Sequence, residues 1–186
     1  MRLFHVSEEE NIAVFEPRLP KRTDMDHAKA VVWAVEEAFL PLYLAPRDCP
    51  RVVYRAGEKA EAQDVDRYCA LPEGQFVTVI EKDWLECLQH TTLYLYEFDT
   101  KDFALQDAVA GFYIAESPQI PIARHILSDI MGALEQKKAE LRTVDNLWEL
   151  VDGIQTSTLD WFISRMRFAK PRNRTWDGSL SLRGMF

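Results

Sequence analysis

The chain lacks the features that mark several large classes of protein. None of its apolar runs approaches the roughly 20 consecutive residues that span a bilayer, so we expect no membrane partner. The seven glycines are scattered and form no phosphate-binding loop, which argues against P-loop and Rossmann-type nucleotide sites. The three cysteines have no CxxC spacing, which argues against a disulfide framework and favours a reducing compartment.

Metal-binding and secretion motifs are missing as well. The four histidines form no HxH or HExxH motif and no cluster with cysteine, so we predict no metal site. The first ten residues contain no apolar segment and turn acidic at once, so we expect no signal peptide and a cytoplasmic location. The sequence identifies no cofactor and leaves open whether the protein is an enzyme.

The charge is negative overall but unevenly distributed. A formal net charge of −8 argues against nucleic acid as a general partner, because phosphate binding needs a positive surface. From residue 163 to the end, however, six residues are basic and only Asp177 is acidic. We expect this basic C-terminal tail, residues 170–186, to be extended or packed on the body. It could neutralise the acidic body or form a local anion site.

The apolar pattern predicts an α+β fold in a single domain of residues 1–186. An apolar fraction of 47% and a charged fraction of 28% are typical of a globular protein. Short apolar or alternating runs predict strands at residues 3–6, 30–35, 51–55, 76–80, 92–98 and 110–115. Short helices are predicted at 36–44 and 82–89, and three more with caps near Ser128, Thr143 and Thr156. We therefore predict a mostly antiparallel sheet, continuous or split, with helices concentrated in the C-terminal third.

The segment 43–52 carries more chemical information than any other. It holds Arg47, Asp48, Cys49 and Arg51 between or just after two prolines, and proline restricts its own φ and the residue before it. Such a stiff loop is either a binding site or a structural corner. The guanidinium groups could hold a phosphate or carboxylate, or Asp48 could pair with one of them and fix the loop. Cys49 is either a structural thiol, which we favour, or a thiol whose pKa the cations lower.

A second group of candidates comes from the first predicted strand and its neighbours. His5 and Ser7 share one face of that strand, so both could line a cleft; alternatively, His5 is a half-buried histidine bonded to the backbone. In the first interpretation, His5 hydrogen-bonds to the ligand or acts as an acid or base near neutral pH. The predicted site comprises the catalytic candidates His5 and Glu116 and the ligand-binding candidates Ser7, Trp33, Tyr43, Arg47, Asp48, Arg51 and Tyr113.

Several motifs together resemble a known family. They are LFHVSEE at 3–9, FEPR at 15–18, VWA at 32–34, PRDCPRV at 46–52, GFYIA at 111–115 with Pro121, LWEL at 147–150 and STL at 157–159. These motifs resemble an uncharacterised bacterial family known only as a domain of unknown function. The resemblance covers most of the chain and implies no activity.

A fainter resemblance is to ADP-ribosyltransferase-like folds. Those folds begin with a strand whose histidine or arginine contacts the nicotinamide dinucleotide, and a second strand then runs into a helix. The resemblance implies that His5 makes this contact and that Glu116 is the best-placed candidate for the glutamate of the third motif. Trp33 departs from the tyrosine or serine that is usual in the second motif.

Two functions remain in view. We hypothesise a binding protein, or an uncharacterised or degenerate enzyme, with a cleft for a nucleotide-like or other anionic small molecule. In that cleft Arg47 and Arg51 would hold the anion and Tyr43 would stack on it. The alternative is a non-catalytic protein–protein interaction module that uses the basic C-terminal tail. The sequence leaves the oligomeric state open.

Overall fold

The structure, a computed structural model, describes residues 1–19, 29–69 and 74–172. Within these ranges ten strands form two sheets. The strands are β1 (Leu3–Ser7), β2 (Val32–Glu36), β3 (Arg51–Arg55), β4 (Val77–Glu81), β5 (Leu93–Phe98), β6 (Ala104–Asp107), β7 (Phe112–Ala115), β8 (Ala123–Leu127), β9 (Glu140–Val144) and β10 (Asp160–Ser164). One sheet has the order β6-β7-β2-β1-β5-β8 and the other β10-β3-β4-β9. Every pairing is antiparallel except that of β4 with β9, so the predicted α+β class with mostly antiparallel sheets is confirmed.

The helices are short and spread along the chain. The α-helices are α1 (Ala62–Asp64), α2 (Leu85–His90), α3 (Ile130–Gln136) and α4 (Trp148–Ile154). A π-helical turn extends α1, and 3-10 turns occupy Glu37–Leu42, Lys82–Trp84 and Met166–Phe168. The predicted concentration of helices in the C-terminal third is not confirmed, because the helical segments at 37–42, 62–69 and 82–90 lie earlier.

The predicted third C-terminal helix is wrong. Residues 160–164 form β10, which pairs with β3 from Asp160 opposite Arg55 to Ser164 opposite Arg51. Phe162 packs on one core cluster and Ile163 on another, because both faces of this strand are covered. Apolar residues on both faces of a strand mimic the spacing of a buried helix.

The predicted helix caps also shift. The carboxylate of Asp129, rather than Ser128, accepts the N–H of Gly132 at 2.8 Å and caps α3. Thr143 lies inside β9, and the side-chain oxygen of Asn146 accepts the N–H of Trp148 at 2.9 Å at the start of α4. The caps moved by one and three residues. Neighbouring candidates compete closely, because aspartate, asparagine, serine and threonine are all good capping residues.

One hydrophobic cluster packs the two sheets together. It contains Phe4 of β1, Val35 of β2, Val53 of β3, Ile80 of β4 and Leu95 of β5. A second cluster joins the other face of the four-stranded sheet to α4, and a third covers the other face of the six-stranded sheet around Phe15. Leu3 belongs to this third cluster while Phe4 belongs to the first, as the alternation predicted for β1 requires.

The middle of the six-stranded sheet is open. β1 and β2 form only two pairs, Leu3 with Glu36 and Phe4 with Val35. β1 nevertheless pairs with β5 along its whole length, and β2 pairs with β7 over four residues. The two central strands therefore part after Phe4 while each stays bound to its outer neighbour.

The first residues of the basic tail pack on the body. The backbone N–H of Lys170 donates to the buried carboxylate of Glu81, at 3.1 and 3.0 Å from its two oxygens. The Lys170 ammonium pairs with Asp83 at 2.9 Å, and Arg172 pairs with Asp152. The remainder of the predicted tail, residues 173–186, lies outside the described residues. None of the helices in the described ranges is long and apolar enough to cross a membrane.

One buried hydroxyl group gives a stability prediction. Thr78 in β4 is fully buried, and its Oγ1 has no hydrogen-bond partner in the described structure. Burying an unpaired hydroxyl costs free energy that a methyl group of similar shape does not. We expect Thr78→Val to raise the free energy of unfolding by about 1 kcal/mol, measured by urea denaturation.

Thr158→Val is the matched control for this prediction. The Thr158 hydroxyl donates to Asp64 at 2.7 Å and accepts the N–H of Glu61 at 2.8 Å. Thr158→Val removes both hydrogen bonds and should therefore lower the free energy of unfolding. A destabilised Thr78→Val variant would show that its hydroxyl has a partner.

Candidate functional site

A pocket of about 270 Å³ lies where β1 and β2 part. Its walls are residues 4–8 of β1 and the following turn, residues 33–35 of β2, the loop before β3 with Arg51, Leu93 of β5, Phe112 of β7, and Arg165 after β10. We call it the main pocket. Six of the nine residues predicted for the site line it: His5, Ser7, Trp33, Tyr43, Arg47 and Arg51.

The structure does not bring the other three predicted residues to the main pocket. Asp48 forms no ion pair with a described residue, so the expected pairing with Arg47 or Arg51 is absent there. Tyr113 of β7 packs with the cluster on the other face of the sheet. Glu116 is exposed, pairs with Lys29 at 2.9 Å and is absent from the lining of the main pocket.

His5 bridges the gap between the parting strands. Its Nδ1 lies 2.9 Å from the backbone oxygen of Trp33. A carbonyl oxygen only accepts hydrogen bonds, so Nδ1 carries the proton in this contact. Burial lowers the pKa of His5 below its ordinary value, and the charges of Arg47 and Arg18 lower it further, against the raising effect of the Trp33 contact. The imidazole is therefore neutral at pH 7, and Nε2 is a hydrogen-bond acceptor.

Arg51 is a buried cation without a carboxylate partner among the described residues. Only 6% of the residue is exposed. Its Nε donates to the backbone oxygen of Leu42 at 2.8 Å, and Nη1 donates to that of Cys49 at 3.2 Å. Burial lowers its pKa to about 10, so the guanidinium still carries its charge at pH 7. The loop is thus held by Arg51 at two carbonyl groups, and Nη2 makes no hydrogen bond with a described residue.

Among the lining residues that the sequence analysis missed, Glu8, Phe112 and Arg165 matter most for the chemistry of the pocket. Glu8 follows β1, and its carboxylate accepts the backbone N–H of Arg47 at 2.7 Å, which ties the loop to the first strand. Arg165 follows β10 in a left-handed conformation with φ of 60°. Phe112 lines the pocket in place of its neighbour Tyr113. Glu8 was detectable as the residue after Ser7, whereas Arg165 was hidden by the wrong helix prediction.

Aromatic rings form one wall of the main pocket. Phe112 contacts Trp33 and Tyr43, with ring centroids 5.3 and 5.1 Å apart. The Tyr43 hydroxyl donates to the backbone oxygen of Ala110 at 3.2 Å, and its ring also contacts Phe162 at 5.3 Å. These contacts hold the rings in place, so the wall is preformed.

A second pocket of about 300 Å³ lies on the other side of His5. We call it the side pocket. It shares His5, Ser7, Trp33 and Arg47 with the main pocket and adds residues 11–16 with Arg18. The His5 ring packs on Phe15, with centroids 4.8 Å apart, so the imidazole forms part of the boundary between the two pockets.

Cys49 is a structural thiol. It is fully buried, and burial raises its pKa to about 12 despite the opposing charge of Arg51. The alternative of a thiol with a lowered pKa is therefore wrong, because desolvation of the thiolate outweighs attraction to the cation.

Comparisons with known proteins identify a family but no relative of known function. A family model described as a family of unknown function, DUF6886, matches residues 4–169. No curated protein and no solved structure matches the chain. The fainter resemblance to ADP-ribosyltransferase-like folds is therefore not supported.

The protonation of His5 can be tested by NMR. Because burial and nearby cations lower its pKa, we expect the ring to stay neutral as the pH falls through 6.5, the ordinary value. Long-range ¹H–¹⁵N spectra should show Nδ1 protonated and Nε2 unprotonated, with the signals assigned by their loss in His5→Gln. Protonation of the ring at or above pH 6.5 would contradict the described geometry.

Thiol reactivity tests the assignment of Cys49. Cys49 and Cys69 are buried, and burial raises the pKa of both thiols, whereas Cys87 is exposed. At about pH 8 we expect the native protein to react rapidly with one equivalent of a thiol reagent and the unfolded protein with three. Cys87→Ser should remove the rapid reaction. A second rapid equivalent that disappears in Cys49→Ser would show that Cys49 is accessible.

Proposed function

The chain belongs to DUF6886, a family of unknown function, and we propose that its main pocket binds a small anionic molecule, such as a nucleotide-like phosphate or a carboxylate. The observation that carries the proposal is the buried, charged guanidinium of Arg51, which has no carboxylate partner among the described residues. A buried charge is costly unless it is paired. The two carbonyl groups offset part of this cost, and a bound anion would supply the missing opposite charge.

The local charge of the pocket supports the same conclusion. Arg47, Arg51 and Arg165 line it, whereas Glu8 is the single acidic residue among the described residues of its wall. This cationic group stands out because the whole chain has a formal net charge of −8. Guanidinium groups bind phosphate and carboxylate groups well because their N–H groups match the spacing of the oxygens.

The main pocket has room for a compact ligand, and it shares Tyr43, Arg51, Phe112 and Arg165 with a larger pocket of about 790 Å³. A volume of about 270 Å³ lies just below the range of roughly 300–1,000 Å³ that is usual for drug-sized molecules. The preformed aromatic wall can contact an apolar or ring-shaped part of the ligand. The proposal is limited to binding, because of the two catalytic candidates only His5 lines the main pocket.

The interaction module that uses the basic tail stays a prediction. Most of that tail, residues 173–186, lies outside the described residues. Its first charged groups, Lys170 and Arg172, already pair with acidic residues of the body.

A thermal-shift and calorimetric screen tests the proposed binding. The probes are inorganic phosphate, adenosine 5′-monophosphate, sn-glycerol 3-phosphate and citrate at millimolar concentration, because a ligand of the folded form raises the melting temperature. Arg47→Gln and Arg165→Gln change exposed side chains and should leave the fold intact. Each should weaken binding by about tenfold, since a hydrogen bond to a charged group contributes about 1.5–3 kcal/mol.

Arg67→Gln is the matched control. Arg67 is exposed and lies outside the main and side pockets, so this variant should bind as the unchanged protein does. If no probe raises the melting temperature, or if all three variants weaken binding equally, the main pocket is not the anion site.

A further inference from the structure

The main pocket is lined by both hydrogen-bond donors and hydrogen-bond acceptors. Arg47 in the loop before β3, Arg51 at the start of β3 and Arg165 after β10 present guanidinium groups, which only donate hydrogen bonds. β1 and its following turn present the acceptor atoms of His5 and Glu8. A ligand that fills this space therefore meets donors and acceptors together.

Among these acceptors, Nε2 of His5 is the atom whose protonation state the structure defines best. The contact of Nδ1 with the Trp33 carbonyl fixes the proton on Nδ1. Nε2 makes no hydrogen bond with a described residue, and the ring borders both the main and the side pocket. The packing of Phe15 against the ring holds this orientation. A ligand group placed against Nε2 must therefore donate a hydrogen bond, or the atom loses its hydration without compensation.

An uncharged donor suits the position beside His5 better than a cationic one. Arg47 and Arg18 lie close enough to oppose a positive charge on His5 itself. The same repulsion acts on any ammonium group placed beside the ring. A hydroxyl group meets both conditions, because it donates a hydrogen bond and carries no charge.

We propose that the natural ligand of the main pocket is a hydroxylated anion, whose phosphate or carboxylate group binds the arginines while a hydroxyl group donates to Nε2 of His5. This inference rests on the proposed anion-binding function and narrows it. It predicts that simple alkyl phosphates and carboxylates bind weakly. It also predicts that anions with an amino group bind more weakly than anions with a hydroxyl group. Such ligands include hydroxy acids and the phosphate esters of polyols and sugars.

Pairs of probes that differ only in their donors test this inference on the unchanged protein. sn-Glycerol 3-phosphate and n-propyl phosphate share the phosphate and the three-carbon chain, and glycerate and propionate form the matching carboxylate pair. We expect the hydroxylated member to bind about tenfold more tightly, which corresponds to one well-formed hydrogen bond. If the phosphate pair binds more tightly than the carboxylate pair, the arginines prefer a phosphate group; the opposite order indicates a carboxylate group. O-Phosphoethanolamine, which carries an ammonium group, should bind more weakly than sn-glycerol 3-phosphate.

NMR and a variant of His5 locate the effect. Binding of sn-glycerol 3-phosphate should move the ¹⁵N signal of Nε2 upfield, as expected for an acceptor that gains a hydrogen bond, while n-propyl phosphate should leave it unchanged. His5→Phe removes the acceptor and should reduce the tenfold preference to about onefold. The affinity for n-propyl phosphate should stay the same, which would show that the pocket is intact without the contact to Trp33. Arg67→Gln should keep the preference. The spectra of the unchanged protein decide the question if His5→Phe does not fold.

The outcomes separate this inference from the function on which it rests. Equal binding of both members of each pair, with binding still weakened by Arg47→Gln, would leave the anion site in place and overturn the role of the hydroxyl group. A preference for hydroxyl groups that persists in folded His5→Phe would also overturn it. If no probe binds, the anion site fails and this inference fails with it.

Discussion

The pocket depends on one hydrogen bond between two strands that have stopped pairing. β1 and β2 part after Phe4, and a backbone carbonyl group that leaves a ladder needs another donor when it is buried. His5 supplies that donor to Trp33 from its side chain. The strands can therefore stay apart without an unsatisfied carbonyl at Trp33. The second ring nitrogen of His5, Nε2, makes no hydrogen bond with a described residue, and the ring borders the main pocket. The outer pairings of β1 with β5 and of β2 with β7 keep both walls rigid.

The loop before β3 is both a structural corner and a wall of the pocket, so the two sequence interpretations are not exclusive. Arg51 closes the corner by donating to the backbone of Leu42 and Cys49. In doing so it brings a positive charge under the pocket without a carboxylate among the described residues. Glu8 adds a contact from β1 to the backbone of Arg47. The loop is therefore positioned by both sheets, which is the kind of support that a binding site needs.

The sequence predicted several residues that line one pocket, because the signals that mark them are local. Alternation placed His5 and Ser7 on one face of β1, and two prolines marked the stiff loop that carries Arg47 and Arg51. Six predicted residues consequently meet at one pocket. The same local reasoning chose Tyr113 over Phe112, because single-residue alternation cannot tell which face of β7 turns toward the pocket before the neighbouring strand is known.

Long-range features were the ones that local patterns missed. Arg165 reaches the pocket through β10, whose apolar residues on both faces imitate a helix, and β10 pairs with β3 more than a hundred positions earlier in the chain. This pairing has a consequence for synthesis. The wall that carries Arg165 cannot form until β10 has left the ribosome, after all the other described strands. A nascent chain therefore has no complete pocket until β10 has added to the edge of the smaller sheet.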